Sequence, residues 1–271
     1  MNNIPLGRMG LIGKSLSHSF SKQYFEEKFI QEKIHNIEYE LFSINNIDEI
    51  EELLADPSSV FFNITIPYKT DIIRYLDGLD TTAREIGAVN CIIKQNNLWI
   101  GYNTDIIGFE ELLKEMKGVK FKLPCENSKL QEHALVLGSG GACKAVCYVL
   151  KQRDIPYQII SRNKTEKTIT YGEVTHELIH HSKYIINTTP LGMFPNIETL
   201  PQIPYMAVHC NHIFIDLIYN PSETLFLQEG KKRGASTING LTMLRKQADA
   251  SWNLYVSKKD YFCGLLYIYN I

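Results

Sequence analysis

Residues 135–146 read LVLGSGGACKAV, and no other stretch of the chain restricts its fold so much. A β-rich run, ALVL, leads into Gly138, Gly140 and Gly141. Helix-forming residues follow, and then a second β-rich run, YQIIS. Glycines at such a turn let the backbone approach a ligand closely, and the helix behind it offers unpaired backbone N–H groups to an anion. The run therefore predicts a βαβ unit of a Rossmann-like sheet, with a dinucleotide pyrophosphate at the turn. A strict G-x-G-x-x-G pattern would place its third glycine at 143, where this chain has Cys143. The second strand ends IISRNK, so no Asp or Glu is present to bond a ribose 2′-hydroxyl; Ser161, Arg162, Asn163 and Lys164 stand there instead. A cation at that point suits a 2′-phosphate, which favours NADP over NAD.

The wider pattern alternates β-rich and helical runs, as in an α/β protein. Before residue 104, RMGLIG, IEYELFSI, VFFNITI, AVNCIIK and LWIGYN read as strands, and helices are expected over 21–33, 47–55, 70–76 and 81–86. Asn96-Asn97 lies between two of these strands and predicts a hairpin, so this half should hold a mixed sheet. Residues 105–117 carry apolar side chains at helical spacing, and a polar connection is expected over 120–133. Later strands are expected over 184–187, 213–217 and 235–238, with a long helix from Leu241. The expected division is a discontinuous domain of 1–104 plus 241–271 and a nucleotide domain of 105–240.

Bulk properties exclude several classes of function. The 271 residues carry a formal net charge of -2, with 44% hydrophobic and 21% charged residues. That balance suggests neither a nucleic-acid surface nor a membrane one. No apolar run of about 18 residues is present, and the N-terminus lacks the apolar core of a secretion signal. The expected location is the cytoplasm. Six scattered cysteines without a CxxC pair fit reduced thiols better than a disulfide framework. His176-Glu177-Leu178-Ile179-His180 matches the HExxH zinc motif, but its place inside the nucleotide half points to a connecting helix, and no metal is expected.

Polar clusters punctuate the first half at strand ends: SLSHSFS (15–21), NITIPYK (63–69), GAVN (87–90) and YNTD (102–105). Each could be a turn. Together they supply hydroxyls, amides, an amine and a carboxylate, an inventory suited to a small polyhydroxylated acid. The buried-looking strand VFFNITI runs through Pro67 and Tyr68 to Lys69, a charge poorly placed for packing and well placed for chemistry.

In order and spacing the chain resembles the shikimate dehydrogenase family, NADP-dependent enzymes that interconvert 3-dehydroshikimate and shikimate on the route to aromatic amino acids. GKSLSHSFS, NITIPYK, GAVN, GYNTDIIG, LGSGGACKA, INTTPLGM, DLIYNPSET and NGLTMLRKQA carry the resemblance, which spans nearly the whole chain. It implies two α/β domains flanking a cleft: a mixed-sheet substrate domain and a Rossmann-like NADP domain. Ser19 and Ser21 match serines that bind the substrate carboxylate, and Thr65, Asn90, Tyr219 and Gln247 match further substrate contacts. Lys69 matches the catalytic lysine and Asp105 its partner. Gly138, Ser139, Gly140, Gly141 and Ala142 match the cofactor turn, and Ser161, Arg162 and Asn163 occupy the 2′-phosphate segment. Thr188, Met193, Leu217 and Gly240 complete the cofactor set, Met193 and Gly240 near the nicotinamide.

The chain departs from the family where Asn-Arg-Thr is usual and only Arg162 is retained, at Lys22 for a proline, and at Cys91 for a threonine. The tail beyond Trp252 matches nothing in the family, and could pack as an extra element or form an interface. The expected protein is a monomer or homodimer acting on a small molecule. The rival readings are a quinate/shikimate dehydrogenase with relaxed cofactor use and a non-catalytic NADP-binding sensor.

Overall fold

RMGLIG forms β1 (Arg8–Gly13), buried along almost its whole length. α1 (Ser21–Gln31) carries the chain over to β2 (Tyr39–Ser43), which pairs parallel to β1. Parallel neighbours need such a crossover. A 3₁₀ turn, Ile47–Glu49, opens on an Asn46/Glu49 capping box and runs into α2 (Ile50–Ala55). β3 (Ser59–Ile64) then pairs parallel to β1 on its other side. After the short β4 (Gly78–Leu79), Asp80 caps α3 (Thr81–Ile86) by accepting from Thr82 and Ala83, and Gly87 ends it at φ 65°. β5 (Cys91–Gln95) and β6 (Leu98–Tyr102) form the predicted hairpin, with Asn96 and Asn97 at φ 52° and 64°. Two successive left-handed residues match the right-handed twist of the flanking strands. The sheet order is β2-β1-β3-β5-β6-β4.

The structure, a computed structural model, describes residues 7–17, 19–34, 37–118 and 130–268. The chain divides into two compact units, Met1–Thr104 with Gln247–Ile271, and Asp105–Lys246. The second unit holds α4 (Asp105–Gly118), β7 (Gln131–Leu137), α5 (Gly141–Gln152), β8 (Tyr157–Ser161), β9 (Thr168–Thr170), α6 (His176–His181), β10 (Ser182–Asn187), β11 (Ile213–Asp216), α7 (Leu225–Lys232) and β12 (Ser236–Ile238). Its sheet runs β12-β11-β10-β7-β8-β9, and every pairing is parallel. Ala134–Leu137 and Ile185–Ile186 are wholly buried, as strands covered on both faces must be. One mixed and one parallel sheet, each with helices, is the predicted fold class.

α8 (Leu241–Ile268) belongs to both units. Met243 joins the core of the second, while Ala248, Trp252 and Tyr255 join that of the first. There Phe25 stacks on Tyr39 at 4.1 Å, and Trp252 packs against Phe29 at 5.0 Å. The start of the tail beyond Trp252 therefore packs as part of this helix, with Tyr255 against Phe61. Side chains from 259 onward lie outside the described residues.

Several local expectations differ. The helix expected over 70–76 is a 3₁₀ segment, Asp71–Tyr75, with Ile73 N–H bonded to the Thr70 carbonyl and Leu76 N–H to the Ile73 carbonyl, three residues back. β3 stops at Ile64, and Ile66 is 48% exposed. Most of the polar connection expected over 120–133 lies outside the described residues, and its end is already strand, since β7 begins at Gln131. β4, β9 and α7 carried no signal strong enough to predict. Cys91, Cys143 and Cys147 are free and buried. Among the described residues no helix is long and apolar enough to cross a membrane.

Candidate functional site

In the second unit, β7 and β10 are neighbours from which the chain winds off in opposite directions. Such a switch point leaves a crevice at the carboxyl ends of the strands, where ligands of this architecture bind. The glycine turn emerges there. Gly138 has φ +109°, and a Cβ on it would lie 2.7 Å from Thr188 Oγ1. Thr188 is itself held to the end of β7 through a 2.7 Å bond from its hydroxyl to the Leu137 carbonyl. Gly138 is therefore required by the fold. Gly140 is not: its φ is -80°, and a Cβ there would meet nothing within 4 Å. The space in front of Gly140, at the N-terminus of the 12-residue helix α5, fits a close-lying pyrophosphate. Cys143, where a third glycine is usual, is buried in the core of this unit and fills the packing position.

Ser161, at the end of β8, lies 3.1 Å from Ser139 across the turn. Beyond it Arg162, Asn163 and Lys164 are exposed. The two cations differ. Lys164 is hydrogen-bonded to Glu173, whose carboxyl is pulled down to about 2 by that ammonium and by bonds from Thr170. No ion pair ties Arg162 among the described residues, which leaves it as the cation suited to a phosphate. Met193 is 38% exposed, and Leu217 and Tyr219 are half-buried in the loop after β11. Gly240 is obligatory, since a Cβ would sit 2.0 Å from the Leu217 carbonyl oxygen.

In the first unit the polar clusters converge. The carboxyl ends of β1, β3 and β6 and the start of β5 share one edge of the sheet. Lys14 N–H bonds the Ile66 carbonyl, Val89 N–H bonds the Lys69 carbonyl at 2.7 Å, and Asn90 N–H bonds the Tyr102 carbonyl. Ser19, just before α1, accepts from the Ser21 backbone at 3.2 Å. Thr65 packs where a side chain on Gly13 would clash with it. Tyr68 is buried, and its hydroxyl donates to the Ile44 carbonyl at 2.8 Å, fixing the turn that carries Lys69. Asn90 is buried too. Its amide donates to Thr104 Oγ1 and to Gln247 Oε1 at 3.1 Å, and its carbonyl accepts from Thr104 N–H at 2.7 Å. Gln247 is thereby set on this edge from α8. Asp105 follows Thr104 directly and opens α4, 3% exposed.

Two groups escaped the sequence reading. Thr104 ties Asn90 to α8, donating its hydroxyl to the Gln247 carbonyl. Asp216, at the buried end of β11, accepts from Asn187, Ile218 and Thr224. Burial pushes its carboxyl up to about 6, against the pull of those donors. The signal was present: an acid at the end of a buried strand, read by the logic applied to Lys69.

The HExxH segment is α6, six residues capped by Thr175, with only Ile179 buried. His176, Glu177 and His180 are exposed, and no group of three His, Cys, Asp or Glu among the described residues could hold a metal ion. Nearby His212 is wholly buried, with Nε2 2.9 Å from the Ile179 carbonyl. Burial holds its imidazole below the usual 6.5, as it does those of His133 and His209. A lowered native value means that the unfolded chain takes up the proton first. The stability His212 lends is then complete above about pH 6.5 and shrinks as pH falls through the native value. In urea titrations, the midpoint advantage of wild type over His212→Gln should narrow between about pH 7 and pH 5; an advantage constant with pH would contradict this.

A family model described as the shikimate dehydrogenase substrate binding domain matches residues 11–92, within the first unit. The NADP(+)-dependent shikimate dehydrogenase of Methanococcus maripaludis is 36% identical over 269 residues, covering 93% of this chain and 91% of that protein. A crystal structure of a shikimate dehydrogenase in complex with NADP+ superposes with a TM-score of 0.78 at 32% identity, covering 95% of this chain and 92% of the other. The Thermus thermophilus enzyme, in complex with NADP(H) and shikimate, gives a TM-score of 0.78 at 26% identity, covering 93% and 94%. With a mixed-sheet unit, a parallel-sheet unit and end-to-end similarity of sequence, this chain belongs to the shikimate dehydrogenase family.

Proposed function

We propose that the protein catalyses the NADP-dependent interconversion of 3-dehydroshikimate and shikimate, with the first unit taking the substrate and the second the nucleotide. One observation carries the reading furthest. A Cβ on Gly140 would meet nothing within 4 Å, and that open space in front of the N-terminus of α5 fits a pyrophosphate. Family relatives with NADP(H) and shikimate bound support it. The site of action is the cytoplasm, with the enzyme a monomer or homodimer.

When bound, NADPH would supply the hydride. The Lys69 ammonium donates the proton that the developing alkoxide needs, and in reverse its neutral amine accepts one. Asp105 holds that amine and bonds the reacting hydroxyl. Ser19 and Ser21 take the substrate carboxylate. Thr65, Asn90, Tyr219 and Gln247 orient the ring hydroxyls, with Asn90 also fixing Gln247. Thr188, Met193, Leu217 and Gly240 line the nicotinamide end, and Arg162 meets the 2′-phosphate. Placing the carbonyl between donor and hydride is the larger part of the protein's task.

Purified protein given shikimate and NADP should produce the NADPH absorbance band, more slowly with NAD. Binding of NADPH without turnover of shikimate would leave the sensor reading standing and remove the enzyme. Faster turnover of quinate than of shikimate would reassign the substrate.

A further inference from the structure

The cofactor residues beyond the glycine turn share a feature of construction. Thr188, Met193, Leu217 and Gly240 lie on three separate loops, after β10, after β11 and before α8. The buried carboxylate of Asp216 sits where these loops meet. Its Oδ1 accepts from Asn187 Nδ2 at 3.0 Å and from Ile218 N–H at 3.0 Å, and its Oδ2 accepts from Thr224 Oγ1 at 2.5 Å.

Each partner carries the connection further. Asn187 Oδ1 accepts from Thr189 N–H and Oγ1 at 3.0 and 2.6 Å, which shapes the turn leading to Met193. Thr224 caps α7 through Leu227 N–H. A Cβ on Gly192, at φ +96°, would lie 3.3 Å from Thr224 Cβ, so the first loop packs closely on the second. Phe194 N–H bonds the Asn220 carbonyl at 3.1 Å, and Gly240 N–H bonds the Ile218 carbonyl at 3.0 Å. Asp216, Asn187 and Thr224 are at most 1% exposed, so none of them touches a ligand.

We propose that Asp216 is a positioning residue for the nicotinamide end of the cofactor, holding the loops of Met193, Leu217 and Gly240 in one register through Asn187, Ile218 and Thr224. An uncharged polar residue could pack in this place, but only a carboxylate accepts from all three donors without offering a proton in return. A loop displaced by about 1 Å is enough to cost two orders of magnitude in rate. The inference rests on the second unit being the NADP site.

The test uses the full-length chain. Asp216→Ala, Thr224→Val and Asp216→Asn are compared with wild type in kcat, in KM for NADP and for shikimate, and in Tm. Asp216→Ala should lower kcat about 30-fold or more and raise KM for NADP about 10-fold, with a clearly smaller rise in KM for shikimate through Tyr219 on the same loop. Thr224→Val, which removes one donor, should fall between Asp216→Ala and wild type. Asp216→Asn keeps an acceptor for Asn187 and Ile218 but turns a donor toward Thr224, so it should recover part of the loss and fall with Thr224→Val between Asp216→Ala and wild type. If Asp216→Ala does not fold, Thr224→Val and Asp216→Asn decide alone, the former expected to raise KM for NADP about fivefold.

Folded variants with a lowered Tm and wild-type kinetics would make Asp216 merely structural and overturn the proposal. A KM for shikimate rising in step with that for NADP would do the same, as the mark of general loosening. Failure of the wild type to bind NADPH is a separate result, and it strikes the functional reading itself.

Discussion

Lys69→Ala lowers kcat by about 10²-fold or more, with little change in KM for NADP. That is the range for losing a positioned general acid. The truncation should be clean. The Lys69 carbonyl is held by Val89 N–H at 2.7 Å, and the preceding Tyr68 is buried with its hydroxyl on Ile44. The backbone therefore stays when the side chain goes. The competing account is an ordinary ion pair, worth about 0–1 kcal/mol. Lys69→Arg separates the two. Arginine restores an ion pair but cannot surrender its proton at neutral pH, so oxidation of shikimate should stay as slow as in Lys69→Ala. Recovery of more than a tenth of the wild-type rate by the arginine variant would remove proton transfer from the role of Lys69.

Arg162→Ala raises KM for NADP by about 10- to 100-fold and leaves KM for NAD unchanged. A hydrogen bond to a charged group contributes about 1.5–3 kcal/mol, and each 1.4 kcal/mol is about a factor of ten. The neighbouring cation provides the control. Lys164 is engaged with Glu173, and Lys164→Ala should change either KM less than about threefold. Steady-state kinetics with both nucleotides checks this. If Arg162→Ala weakened NAD and NADP equally, the guanidinium would be reading something other than the 2′-phosphate.

Much of the architecture was legible because it is written in local patterns. Asn96-Asn97 between two β-rich runs can hardly be anything but a tight hairpin, and both residues are left-handed. The buried runs ALVL and YIIN, with a glycine turn and helix between β-rich segments, specify a parallel sheet. What stayed illegible was short or non-local. β9 spans 168–170 and pairs with β8 across a loop, and no three-residue pattern announces that. The 3₁₀ turn at Asp71–Tyr75 was expected as an α-helix, and only its hydrogen bonds to carbonyls three residues back tell the two apart.

The candidate site divides the same way. The polar clusters and the glycine turn were visible because charged and hydroxylated residues at strand ends are costly to place for packing alone. The partners they make were not. Asn90, Thr104 and Gln247 are bonded to one another although Gln247 lies 157 residues from Asn90. Asp216 gains its role only where Asn187, 29 residues earlier, lies in the next strand.

By itself the sequence determined which segments become strands and helices, where a glycine turn links strand to helix, and which side chains offer an amine, a carboxylate or a guanidinium group at strand ends. Backbone preference and side-chain chemistry act over a few residues and can be read along the chain. Only the tertiary structure decided that Lys164 is paired with Glu173 while no ion pair ties Arg162 among the described residues, that Gly138 and Gly240 serve the fold while Gly140 leaves room for a ligand, and that Asp216 joins three loops. Those are facts of distance between residues remote in sequence, set when each sheet and its helices close over their own core.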